Sequence, residues 1–171
     1  KNMKKTIFIS SILATLLLTT TNPVSAADAK FKVAVVKGAV GSVDITKGEL
    51  ASGIEKLTTN TSDQDFYASK MSLCVAYLQA RYNDKSESTC TAAINSLESL
   101  PHANSKVRYL TALNYSNRGV ARYRKNQLTA ALEDFQTAVA IDQNPITNAN
   151  LASMRKLLPA AKVETVAELA E

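Results

Sequence analysis

NRGVARYRKNQLTAALEDFQTAVAI, residues 117–141, is the stretch from which the fold is read. It holds two runs of helical spacing on either side of a polar break at Lys125–Asn126. In the second run Leu128, Ala131, Leu132, Phe135, Ala138 and Val139 recur at three- and four-residue intervals, which puts them on one broad apolar face. The first run extends back through KVRYLTALNYS to Asn104 or Ser105, residue types that cap helix starts. Two helices joined by so short a break lie antiparallel, as a helical hairpin.

Upstream, FYASKMSLCVAYLQARY (66–82) puts Met71, Val75 and Leu78 on one stripe. SESTCTAAINSLESL (86–100) spaces Cys90, Ala93, Ile94 and Leu97 about one turn apart, after a turn over Asn83–Ser86. Leu100-Pro101 ends that run. Downstream, Asn144-Pro145 stops the helix of the quoted stretch. A fifth long helix begins near Thr147, with Leu151, Met154, Leu157 and Leu158 inward, and ends at Pro159. Nearer the start, residues 27–41 alternate apolar and polar around Phe31, Val33 and Val35, which reads as an extended arm or a short strand. Ile45, Leu50, Ile54 and Leu57 have helical spacing and predict one short helix from Thr46 or Lys47. Thr58–Asp65 is a polar linker. The fold class is all-α: a short helical-hairpin solenoid of about two repeats plus a capping helix, preceded by an arm and helix. The divisions are 27–63 for the arm and short helix, 64–158 for the repeat domain and 159–171 for a weakly helical tail.

Shifting the chain by 45 residues lays Val75-Ala76 on Val120-Ala121 and Ala93-Ile94 on Ala138-Val139. The same shift lays Cys74 on Gly119 and Cys90 on Phe135. A repeat of this length, made of two antiparallel helices, marks a helical solenoid. Asn117-Arg118-Gly119-x-Ala121-x-Tyr123 followed by Leu128-x-x-Ala131-Leu132-x-Asp134-Phe135-x-x-Ala138-Val139-x-Ile141 resembles a tetratricopeptide repeat. Small Gly119, Ala131 and Ala138 and bulky Phe135 stand at that pattern's informative places. The earlier unit, 67–100, fits at Ala76, Tyr77, Ala93 and Ile94, while Ser86 replaces an alanine. Arg122 stands where the pattern has an aromatic, with Tyr123 adjacent, and the expected proline is displaced to Pro145. The family's unit is about 34 residues. The excess in the 45-residue shift falls at Pro101–Thr111, a loop plus an extension of the helix that follows.

The resemblance implies that Gly119 receives Phe135 and that Cys74 and Cys90 form the corresponding pair of the first hairpin. Two small side chains there would leave a cavity, which is destabilising. A disulfide fills part of it, and closing a loop of about 15 residues contributes roughly 3 kcal/mol in the chain-entropy model. Free buried thiols and a redox-active pair are the alternatives. The cysteines are not in a Cys-x-x-Cys arrangement, nor near a helix start that would lower a thiol pKa. The resemblance also implies that the first helix of each hairpin lines a groove. Its candidate partner-binding residues are Met71, Val75, Gln79, Leu113, Ser116, Val120, Tyr123 and Arg124. The groove lacks the lysine and asparagine set with which some relatives hold a peptide's terminal carboxylate. Being apolar it must be covered, by a partner's helix or extended peptide or by this chain's own residues 31–57.

Residues 1–26 read as a secretory signal peptide: basic Lys1, Lys4 and Lys5, an apolar run from Ile7 to Leu18, then a polar segment with Val24 and Ala26 at the cleavage positions. The apolar run is shorter than the roughly 20 residues of a membrane-spanning helix. Cleavage after Ala26 predicts a periplasmic or secreted protein with no integral membrane segment, and an oxidising compartment favours the Cys74–Cys90 bond. The leader takes three of the 20 basic side chains and none of the 15 acidic ones, leaving 17 against 15. So balanced a chain lacks the electrostatic footprint of a nucleic-acid binder.

Chemistry is sparse. His102 is the single histidine, in a loop, and with two cysteines it falls short of a four-ligand zinc set. The carboxylates are scattered along helices, and Gly38, Gly41, Gly48 and Gly53 do not make a phosphate-binding loop. Arg118, Arg122, Arg124 and Lys125 are either a polar helix face whose stems cover apolar neighbours or a contact surface for an acidic partner. The expected function is non-catalytic, without metal or cofactor: an exported adaptor that binds another envelope protein or peptide. The alternatives are a structural envelope protein with a self-filled groove, and a thiol–disulfide redox protein using Cys74 and Cys90.

Overall fold

The computed structural model describes residues 31–59, 66–98, 100–101 and 104–158. The leader 1–26, His102 and the tail 159–171 lie outside the described residues. An arm, residues 31–36, leads into helices α1 (Ser42–Lys47), α2 (Leu50–Thr59), α3 (Phe66–Gln79), α4 (Asn83–Glu98), α5 (Ser105–Arg124), α6 (Leu128–Ile141) and α7 (Pro145–Leu157). No strand occurs among the described residues, so the arm is not part of a sheet.

Each helix packs on the next, with α3 against α4 and α5 against α6 as antiparallel hairpins and α7 closing the row. The first helices of the hairpins also touch one another, α3 with α5 and α5 with α7. That second set of contacts makes α3, α5 and α7 a continuous face. The fold is therefore the all-α hairpin solenoid that the spacing predicts.

Local chemistry sets the helix ends. Asn104 caps α5, its Oδ1 accepting from the Lys106 amide at 2.9 Å. Asn144 caps α7 by accepting from the amides of Ile146 (3.0 Å) and Thr147 (3.1 Å), while its own N–H donates to Thr147 Oγ1. Pro145 then opens α7 two residues before the predicted start at Thr147. At a first helical position it forfeits no helical hydrogen bond.

Two other predicted boundaries are corrected. The turn expected over Asn83–Ser86 is the first turn of α4, and the chain reverses at Ala80–Tyr82, where Arg81 takes φ 62°. The single helix expected over 46–57 is two, α1 and α2, broken at Gly48 with φ 83°. A left-handed residue cannot continue a helix, and only glycine takes that conformation at no steric cost. Lys56 and Ser52 hold the pair together by donating to Asp44 Oδ1 at 2.6 and 3.2 Å, and the Lys56 bond draws the Asp44 carboxyl below its usual range.

The core falls into three clusters. Cys74, Leu78 and Cys90 join Val120, Tyr123, Phe135, Leu151 and Met154 between the hairpins. Met71, Ala93 and Leu97 meet Leu110 and Leu113 nearer the start of α5. Ile45 and Leu57 of α1 and α2 pack on Val75 and Ala76. Cys74 and Cys90 are joined in a disulfide, with Cα atoms 4.9 Å apart and both residues fully buried. The bond occupies the place in α3–α4 that Gly119 and Phe135 occupy in α5–α6.

Candidate functional site

The face made by α3, α5 and α7 is occupied. The arm lies along it and is held at alternate residues by two asparagine side chains. Asn150 of α7 accepts from the Lys32 amide through Oδ1 at 2.8 Å and donates through Nδ2 to the Lys32 carbonyl at 2.8 Å. Asn117 of α5 does the same for Ala34, accepting at 3.1 Å and donating at 2.9 Å. A primary amide presents one donor and one acceptor side by side, which matches the N–H and C=O of a single residue in an extended chain. Burying a chain segment requires that its main-chain groups find partners. Here two side chains supply them, without a sheet.

The arm's own side chains fill the apolar face. The Phe31 ring stacks on Phe135, with centroids 5.1 Å apart, and meets Tyr123 edge-on at 4.8 Å. Phe31 and Val33 pack on the cluster around the disulfide, Val35 on the Ile45–Val75 cluster, and Ala34 and Val36 on the Met71–Leu113 cluster. The arm thus touches all three clusters. Asn114, one turn before Asn117, is buried with Nδ2 donating to the Leu110 carbonyl at 3.0 Å. Its Oδ1 has no partner among the described residues.

Of the residues that the sequence nominates for the groove, Met71, Val75, Leu113 and Val120 are buried in these clusters. Ser116 is buried and accepts from Asn150 Nδ2 at 2.8 Å, which fixes the orientation of that amide. Tyr123 lies against Phe31. Gln79 and Arg124 are exposed, and Arg124 donates to the Leu78 carbonyl, joining the ends of α5 and α3. Although the side chain as a whole is open to solvent, partial desolvation of its guanidinium and the neighbouring Arg81 lower the Arg124 pKa. Sequence reasoning missed Asn117 and Asn150. The signal available was a polar amide on the inward side of α5 and of α7, where periodicity calls for apolar side chains.

The basic group on α5 is consumed within the fold. Arg118 donates to both oxygens of Asp134, at 3.0 and 2.8 Å, and to Thr91 Oγ1 at 3.3 Å. Arg122 bridges Asp134 and Glu87, and Lys125 bridges Glu87 and Asp84. Burial pulls the Arg118 pKa down, but Asp134 outweighs it and the net shift is upward. These ion pairs tie α4 and α6 to α5 on the side of α5 that carries Arg118 and Arg122. Arg118, Arg122 and Lys125 are therefore ion-paired to Asp134, Glu87 and Asp84, which neither sequence alternative foresaw.

Among the described residues no cluster of three or more His, Cys, Asp or Glu could hold a metal ion, and no helix is long and apolar enough to cross a membrane. Compared with family models, with curated proteins and with solved structures, the chain matches none.

Proposed function

We propose that this protein is an exported, non-catalytic adaptor of tetratricopeptide type, whose groove receives an extended segment of another envelope protein or peptide. The observation that carries this reading is the pair of amide clamps, Asn117 on Ala34 and Asn150 on Lys32. They address the main chain, not any side chain, so any extended segment with suitable apolar residues satisfies them. In the resting chain the arm is that segment. A partner competes with it, and its apparent affinity falls by the fraction of time the groove is closed. Export rests on the basic and apolar pattern of residues 1–26, and the buried Cys74–Cys90 disulfide suits an oxidising compartment.

A second reading is favoured by one observation. Phe31 reaches the ring of Phe135 and makes the arm continuous with the core. On that reading the arm completes a structural envelope protein and no ligand enters. Affinity capture from envelope extract, comparing the wild-type chain with an Asn117→Ala, Asn150→Ala double variant, separates the two. The adaptor reading expects a set of proteins held by the wild type and lost by the variant. Identical captures from both would leave only the structural reading.

A further inference from the structure

The link between arm and body is loosest at Lys37 and Gly38, because beyond them Ala39, Gly41 and Ser42 are buried and Gly41 lies close against Gly53 and Leu57 of α2. Residues 37–41 turn on two main-chain bonds, from the Ala39 amide to the Val36 carbonyl at 3.2 Å and from the Ser42 amide to the Ala39 carbonyl at 3.0 Å. Lys37, Gly38 and Val40 are exposed. Gly38 takes φ 84°, and a Cβ placed on it would meet nothing within 4 Å. No side-chain packing therefore holds Gly38 in the turn. Rotation at Lys37 and Gly38 swings the arm out of its groove while Ala39 and Gly41 stay buried on the body.

Nothing in the arm's docking requires arm and groove to belong to one chain. The amides of Asn117 and Asn150 meet main-chain groups, and Phe31, Val33 and Val36 fill apolar clusters. The identical arm of a second copy meets the same partners with the same geometry. Exchange of an identical element conserves its contacts, and only the hinge distinguishes the closed chain from the exchanged pair.

The apolar surface beside the hinge supplies an independent observation. Val43 is 59% exposed, the most exposed large apolar side chain among the described residues, and Val40 is 38% exposed. Val40 lies within the turn, and Val43 follows it in the first turn of α1. In the closed chain they face water without benefit. In an exchanged pair the two opened hinges run beside each other, and these valines meet their counterparts.

We propose that two copies of this chain form an arm-exchanged dimer, in which residues 31–36 of each occupy the α5–α7 groove of the other and Val40 and Val43 pack across the opened hinges. The proposal rests on the groove being a receptor for extended chains.

Gly38→Val tests it without touching arm or groove. Valine resists the left-handed conformation, so the substitution penalises the closed turn and spares the opened one. The dimer association constant should rise by roughly tenfold or more, as each dimer opens two hinges. Sedimentation across a concentration series reads this. In a mixture of ¹³C-labelled and unlabelled chains, isotope-filtered NOEs between Phe31 and the rings of Tyr123 and Phe135 must then connect different copies. A Gly38→Val chain that stays monomeric overturns the proposal, as does a dimer whose Phe31 contacts are all within one copy. Should Gly38→Val fail to fold, wild-type chain refolded at millimolar concentration gives the same two readouts, and a monomer or a dimer with only internal Phe31 contacts again overturns the proposal. A labelled peptide of residues 27–36 separates the failures. If the peptide binds while the chain remains monomeric, exchange falls and the receptor reading stands. If neither occurs, both fall.

Discussion

Gly119 faces the ring of Phe135 so closely that a Cβ on Gly119 would lie 2.8 Å from Phe135 Cε1 and 3.0 Å from Cδ1. The ring is fully buried and stacked against Phe31, so it has little room to retreat. The near-absent side chain on α5 is what allows the large one on α6 to seat between the helices.

Gly119→Ala is therefore expected to destabilise the fold despite its better helix propensity. Alanine gains about 1 kcal/mol over glycine within a helix. Overpacking a rigid, enclosed ring costs about 1 to 3 kcal/mol. The net expectation is a loss of roughly 1 kcal/mol, read as a fall in Tm of several degrees by circular dichroism. A rise in Tm would mean that Phe135 shifts freely and that the contact does not constrain the hairpin.

The first hairpin solves the same packing problem covalently. Cys74 and Cys90 are both fully buried, so a thiolate from solvent reaches the bond only when α3 and α4 separate. Glutathione at a mild concentration should leave the bond closed in the native protein, with alkylation appearing only after denaturant is added. Replacing both cysteines by alanine should lower stability by about 3 kcal/mol or more, from loop entropy together with the cavity left behind. Ready reduction of the folded protein would revive a redox role for this pair.

How much of this was legible from sequence depended on the range of the interaction. The hairpins were readable because Ala131, Phe135 and Ala138 repeat at helical spacing and because Cys74 and Cys90 fall on Gly119 and Phe135 after a fixed shift. Alternation around Phe31, Val33 and Val35 marked the arm as extended. Gly48 was harder, since a glycine among helically spaced apolar residues looks tolerable until its φ is seen to be positive. The arm's position was one of two coverings the sequence left open. It depends on bonds between residues 83 and 118 positions apart, and no local pattern encodes such a distance. Asn117 even sits inside the motif used to recognise the repeat, where it passed as an ordinary polar position.

The ion-paired side of α5 should make stability depend on pH in a defined direction. Burial pushes the Glu87 carboxyl up, but hydrogen bonds from Lys125 and Arg122 outweigh it and hold the pKa below the usual glutamate range. A group whose folded pKa is lowered stabilises the fold above its unfolded value, and that contribution is lost as pH falls through the folded value. Lys125, raised by Asp84 and Glu87, has the opposite sense and loses its contribution only as pH climbs through its raised value. Glu87→Gln should thus cost about 1 kcal/mol at neutral pH. The gap from wild type should begin to narrow near about pH 4, where unfolded glutamates protonate, and close only as pH falls through the lowered folded value. Urea unfolding across this range measures the gap. A difference that persists unchanged into acid would assign Glu87 a packing role instead.

The two clamps on the arm should behave as one unit. Asn117→Ala strands the N–H and C=O of Ala34, which are buried, and each stranded group costs about 1 to 3 kcal/mol unless the arm lifts away. Lifting the arm also surrenders the Asn150 bonds to Lys32 and the Phe31 stack. Either single variant should accordingly release much of the arm, seen as faster hydrogen exchange at the Ala34 amide while amides in α5 and α6 stay protected. Once the arm is loose, removing the second clamp has little left to disrupt. The Asn117→Ala, Asn150→Ala double variant should then lose clearly less stability than the two single losses combined, a coupling of about 1 kcal/mol or more in a double-mutant cycle. Strict additivity, with Ala34 still protected in each single variant, would mean that the apolar contacts alone seat the arm and that the amides serve only to satisfy its buried main chain.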